Sequence, residues 1–167
     1  MDKGRIRNYL ADFQERGFTN VIKRDTSLKP SKKIQTVVGA RRVGKTFLLF
    51  NKIKELEQSG VPRKQIIYLN FESPALNEIT FKEIKDILEI HWSMHPGVIK
   101  KETFMFIDEP QSIKKWELAV RELSEEYSVK IFITGSSSKL LSREIATSLR
   151  GQGNNNLPAS AFLQGVS

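Results

Sequence analysis

Apolar residues recur along this chain with two periods that take turns, and the alternation predicts its architecture. Ile6, Tyr9, Leu10 and Phe13 keep the i, i+3, i+4, i+7 spacing that lays one apolar stripe on a helix over residues 4–16, with Gly17 as its stop. Residues 24–33 are polar and contain Pro30, which reads as a loop. Ile34 to Val38 is short and β-branched, a strand. Phe47, Leu48, Phe50, Ile53 and Leu56 restore helical spacing between Gly44 and Gln58, and Gly60 and Pro62 close that helix. "QIIYLNF" (65–71) is a second strand. Thr80-Phe81-Lys82-Glu83 is a capping box opening a helix with Ile84, Ile87, Leu88 and Trp92 inward. "TFMFIDE" (103–109) is a third strand. Ser112 is the expected cap of a helix whose inward side is Trp116, Ala119, Val120 and Leu123. "VKIFITG" (129–135) is the fourth strand, and "SSSKLLSREIATSL" (136–149) reads as largely helical.

Strands that alternate with helices predict an α/β fold with a parallel sheet covered on both faces. The runs "FMFI" and "IFIT" fit this, because strands buried on both sides need no polar alternation. "SAFLQ" (160–164) is the candidate for a fifth strand, and the one element of the sheet in doubt. No internal repeat is present.

Composition narrows the classes. A length of 167 residues suits one domain with a full core. The absence of cysteine excludes disulfides and thiolate metal sites. "MDKGRIRNYL" has no apolar signal region, and no apolar run is long enough to span a bilayer, so the expectation is a cytoplasmic chain without a membrane partner. The net charge of +8 raises the odds of a polyanionic partner. Basic pairs such as Lys32-Lys33 and Lys114-Lys115 nevertheless carry no interleaved aromatics, and the simpler reading is a solvated surface. A nucleic acid, a protein partner and a homo-oligomer all stay open.

The chemistry is concentrated at three strand ends. Gly39-Ala40-Arg41-Arg42-Val43-Gly44-Lys45-Thr46 fits G-x-x-x-x-G-K-T, after a strand and opening a helix. Glycine there lets successive N–H groups turn inward and, with the positive end of the helix, form an anion site. Lys45 adds a charge toward the β- and γ-phosphates, and the Thr46 hydroxyl is a Mg²⁺ ligand. Arg41 and Arg42 face either phosphate or solvent. Asp108 and Glu109 emerge at the carboxyl end of the third strand, the edge where open α/β sheets bind ligands. Asp108 is the candidate metal residue and Glu109 the candidate base for an attacking water. The competing account of this pair is the ordinary preference for acids at a helix start. Thr134, Ser136 and Ser137 end the fourth strand. Thr134 is a candidate γ-phosphate sensor, and Ser137 reads equally as sensor or helix cap. Signatures for guanine are missing: "NKIK" (51–54) lacks the aspartate that reads guanine, and no D-x-x-G follows the second or third strand. ATP is therefore the expected nucleotide. Residues 18–22 are a candidate adenine contact by position only.

The segments "GARRVGKTFLL", "IIYLNFES", "FMFIDEPQ" and "KIFITGSSSKLLSREIATSLRG" resemble the AAA-type ATPases of archaea and bacteria, in particular the group whose core precedes a winged-helix segment and a C-terminal domain of unknown function. The resemblance covers residues 4–151. It implies a P-loop NTPase fold with strand order 5-1-4-3-2, Mg²⁺-ATP as ligand, and hydrolysis to ADP and phosphate. It assigns the phosphate loop to Gly39, Gly44, Lys45 and Thr46, metal and base to Asp108 and Glu109, and the sensor to Thr134–Ser137. Gln152 stands where the family has an arginine, with Arg143 and Arg150 as substitutes. The expected organisation is an ATPase core over residues 1–151 and an atypical or truncated tail over 152–167. Two other functions compete: a nucleotide-binding switch or inactive fragment that does not hydrolyse, and a small-molecule kinase. A glutamate placed for water argues against the kinase.

Overall fold

The computed structural model describes residues 1–16, 34–39, 44–98, 102–136 and 156–158. Its elements are α1 (Lys3–Glu15), β1 (Ile34–Gly39), α2 (Lys45–Gln58), β2 (Ile66–Asn70), α3 (Phe81–Met94), β3 (Thr103–Asp108), α4 (Trp116–Glu126), β4 (Val129–Ser136) and β5 (Asn156–Pro158). They form one five-stranded sheet in the order β2-β3-β4-β1-β5, which is the expected 5-1-4-3-2 read from the other edge. All four pairings are parallel. The fifth strand lies upstream of the segment 160–164 that its apolar residues suggested. That segment, like the expected helix over 137–149, lies outside the described residues.

Alternation along the strands divides the core in two. Ile67, Leu69, Met105, Ile107, Ile131 and Ile133 face α3 and α4, which supply Ile84, Ile87, Leu88, Ala119, Val120 and Leu123. Ile66, Tyr68, Phe104, Phe106 and Phe132 face α2, which supplies Leu48, Leu49, Ile53 and Leu56. Phe106 and Phe132 stack with centroids 4.6 Å apart. Helices on both faces explain why β3 is buried at every position.

Helix α1 deals with the exposed edge of the sheet. It lies against β2, sending Ile6 and Leu10 to one core and Phe13 to the other. The Gln14 amide donates to the Ile66 carbonyl at 3.1 Å, and the Asn70 N–H donates to the Tyr9 hydroxyl at 2.9 Å. Side chains of a helix thus satisfy edge groups that a neighbouring strand would otherwise seek.

One local expectation needs correction. Helix α4 is entered through Lys115 in a left-handed conformation, not through Ser112, which instead closes a 3-10 turn over Pro110–Ser112. Trp92 packs against the core as expected, its indole N–H donating to the buried Thr103 hydroxyl at 3.2 Å, and Ile90 and His91 complete the buried side of α3. The capping box at Thr80 and Glu83 forms as expected.

Candidate functional site

Register sets the site. Asn70 pairs with Asp108, and Asp108 with Thr134, so the carboxyl ends of β2, β3 and β4 are level. Period-two alternation puts Tyr68, Phe104, Phe106, Phe132 and, further along, Asp108 and Thr134 on the face covered by α2. The amino end of α2 carries Lys45 and Thr46 to the same place.

Asp108 is 1% exposed and is held by three hydroxyls. Thr46 donates to Oδ2 at 2.7 Å, Tyr68 donates to Oδ2 at 3.0 Å, and Thr134 donates to Oδ1. Three donors on one carboxylate fix its direction. The Tyr68 hydroxyl stays protonated, since burial first, and then the Asp108 charge, raise it above the tyrosine range. Tyr9 is raised in the same sense, again mainly by burial.

Glu109 leaves the strand abruptly. Its φ of 53° and ψ of 51° are left-handed, a region that costs a non-glycine residue on the order of 1–3 kcal/mol. Its N–H donates to the Thr134 carbonyl at 3.1 Å, and Pro110 then opens the 3-10 turn. Continued extension would send Glu109 to the face opposite Asp108. The turn instead brings its carboxylate to Lys45, with Nζ 3.4 Å from Oε1. Both side chains are largely buried, at 4% and 13% exposure, so the pair is little screened by solvent. The Gln111 amide donates to the other oxygen, Oε2.

Gly44 precedes α2 with φ of 79°, which is where a phosphate-loop glycine is required. Gly39 ends β1, level with Ser136. The structure thus gathers Lys45, Thr46, Asp108, Glu109 and Thr134, with Gly39 and Gly44 at the ends of the connecting loop. Residues 40–43, Ser137, Arg143, Arg150 and the adenine candidates 18–22 lie outside the described residues. Tyr68 and Gln111 are the contributors that the sequence did not single out. "DEPQ" is visible in the chain, but nothing local shows that the glutamine turns back on the glutamate.

A profile of the AAA domain family matches residues 31–157, most of the chain. This chain belongs to the AAA domain family. The uncharacterized protein MJ1544 of Methanocaldococcus jannaschii is 44% identical over 134 residues, which is 79% of this chain and 28% of that protein. An uncharacterized protein of Haemophilus influenzae is 34% identical over 133 residues, 80% of this chain and 32% of its own length. The AAA domain described here thus spans under a third of these relatives. Among solved structures, a DNA replication initiation factor aligns with a TM-score of 0.46 at 13% identity, covering 92% of this chain and 43% of the other. C. elegans PCH-2 aligns with a TM-score of 0.45 at 14% identity, covering 87% and 39%.

The AAA domain family is one of nucleotide-binding ATPases, and the α/β P-loop fold of this member agrees with it. Its donor set also suits the cation such nucleotides carry. No cage of three or more histidines and acids exists among the described residues. One carboxylate beside one hydroxyl, both oxygen donors, is the provision typical for Mg²⁺, which takes its other ligands from phosphates and water. No helix among the described residues is long and apolar enough to cross a membrane.

Proposed function

We propose that this AAA domain binds Mg²⁺-ATP and hydrolyses it to ADP and phosphate. The observation that carries the reading is the convergence of Lys45, Thr46, Asp108, Glu109 and Thr134 at level strand ends. Gly39 and Gly44 shape the loop, the N–H groups at the start of α2 receive phosphate oxygens, and Lys45 neutralises the β- and γ-phosphates. Thr46 and Asp108 would hold Mg²⁺, whose charge offsets that of the phosphates. The Thr46 hydroxyl already gives its proton to Asp108, so its lone pairs remain for a cation. Glu109 takes a proton from the attacking water. The water oxygen bonds to the γ-phosphorus, and the bond to the β,γ-bridging oxygen breaks. Thr134, tied to Asp108, contacts the γ-phosphate and reports its presence. The nucleotide is bound at the carboxyl edge of the five-stranded sheet.

The test is calorimetric titration of Mg²⁺-ATP together with phosphate release. Lys45→Ala should abolish binding. Glu109→Gln should keep binding within about threefold and lower kcat by about 10²–10⁴. Unchanged turnover in Glu109→Gln would remove the assigned base. Binding by the wild type without turnover would make the domain a nucleotide switch.

A further inference from the structure

Lys45 is called on twice. It faces the Glu109 carboxylate at 3.4 Å, and the proposed reaction needs it on the phosphates. When Lys45 turns to phosphate, Glu109 loses a partner at the moment its position matters most.

We propose that Gln111 is the positioning residue of Glu109: its amide nitrogen holds one carboxylate oxygen in place while Lys45 serves the nucleotide. This rests on the hydrolytic reading above. The turn geometry makes the contact. Pro110 fixes the first backbone angle after Glu109, and the Ile113 N–H closes the turn on the Pro110 carbonyl at 2.9 Å. That folds the residue-111 side chain back over residue 109, where Nε2 donates to Oε2. The orientation of the amide is settled by its partner, because an ionised carboxylate only accepts. The Gln111 oxygen therefore points away from Glu109, and it is buried with no hydrogen-bond partner among the described residues. The attacking water then gives one proton to a Glu109 carboxylate held in place by that amide. Its oxygen bonds to the γ-phosphorus as ADP departs. Nothing is oxidised or reduced, and the products are ADP, phosphate and the proton on Glu109.

The experiment uses the whole 167-residue chain and two readouts. The first is steady-state ATP turnover beside Mg²⁺-ATP titration for wild type, Gln111→Met, which keeps length but has no amide, and Gln111→Asn. Gln111→Met should lower kcat tenfold or more with Kd within twofold, and Gln111→Asn should recover part of the loss. A residue that merely braces the fold would weaken binding and thermal stability together instead. A kcat for folded Gln111→Met within twofold of wild type would overturn the proposal. The second readout needs neither turnover nor a Gln111 variant. The side-chain amide signals of Gln111 in a ¹⁵N–¹H spectrum should move in Glu109→Ala and stay put in Leu118→Ala, a change at an exposed site on α4. If the wild type shows no turnover, the hydrolytic reading falls, and the spectrum decides the contact alone. Amide signals indifferent to Glu109→Ala would overturn it.

Discussion

Tyr68→Phe isolates one of the three bonds that hold Asp108. The ring packs at 5.0 Å from Phe50 and 5.8 Å from Phe13, and phenylalanine keeps both contacts, so no cavity opens. What is lost is one hydroxyl donating at 3.0 Å to a carboxylate that is 1% exposed. A hydrogen bond to a charged group contributes roughly 1.5–3 kcal/mol. Thr46 continues to donate to the same oxygen, which places the loss near the lower end, about 1.5 kcal/mol. For a chain of this length the midpoint of thermal unfolding should fall by about 3–6 °C. Urea unfolding at neutral pH measures the loss directly. A cycle with Asp108→Asn shows whether it belongs to the charge, because the hydroxyl should then matter less. A loss below about 0.5 kcal/mol, or an equal loss in the Asp108→Asn background, would refute the account of Tyr68 as a buttress of that carboxylate.

Two further changes read other parts of the frame. Gly44→Ala places a Cβ only 3.9 Å from the Cβ of Phe47, an ordinary contact, so its cost is the left-handed backbone alone, about 1–2 kcal/mol, readable by urea unfolding. His91 is fully buried on α3, and burial lowers its pKa to about 4, with the Lys64 carbonyl hydrogen-bonded to its ring at 2.9 Å and His95 against it. The unfolded chain takes up that proton near pH 6.5 and the folded one only near 4. Stability should therefore be full above pH 6.5 and fall by about 3 kcal/mol as pH drops through that window. His95, also lowered by burial and by the charge of Lys64, adds in the same direction. A pH-stability profile by urea unfolding that is flat between 7 and 4.5, or identical in His91→Gln, would contradict this.

The parts of the molecule that were legible in the sequence are those governed by short-range rules. β3 and β4 announce themselves as unbroken apolar runs because both of their faces are covered, and the capping box at Thr80 is a four-residue code. That Lys45, Thr46 and Asp108 would come together was legible because each sits at a fixed offset from the end of a strand. The turn after β3 was not. Two left-handed residues, Glu109 and Lys115, bracket it, and neither is a glycine or an asparagine that would have flagged the conformation. Ser112 looked like a cap because its type favours that role, but the proline upstream set the backbone first. Tyr68 was opaque for another reason. In an apolar strand it reads as core, which its ring is, and only the pairing of β2 with β3 shows that its hydroxyl meets Asp108.

The position of β1 in the sheet has a consequence for how the chain acquires its loop. Ile34 finds its neighbour in Ile131, and Val38 lies between Gly135 on one side and Pro158 on the other. A chain made from its amino end therefore carries β1 with no strand beside it until β4 has been synthesised. Meanwhile α1, β2, α3 and β3, which contact one another at shorter range, can already assemble. Long-range closure is the slow step in building such sheets. The strand from which the proposed phosphate loop departs is thus seated late, by insertion into a scaffold already formed, and a ribosome-bound chain that stops short of β4 has α1 to α4 but neither strand that flanks β1.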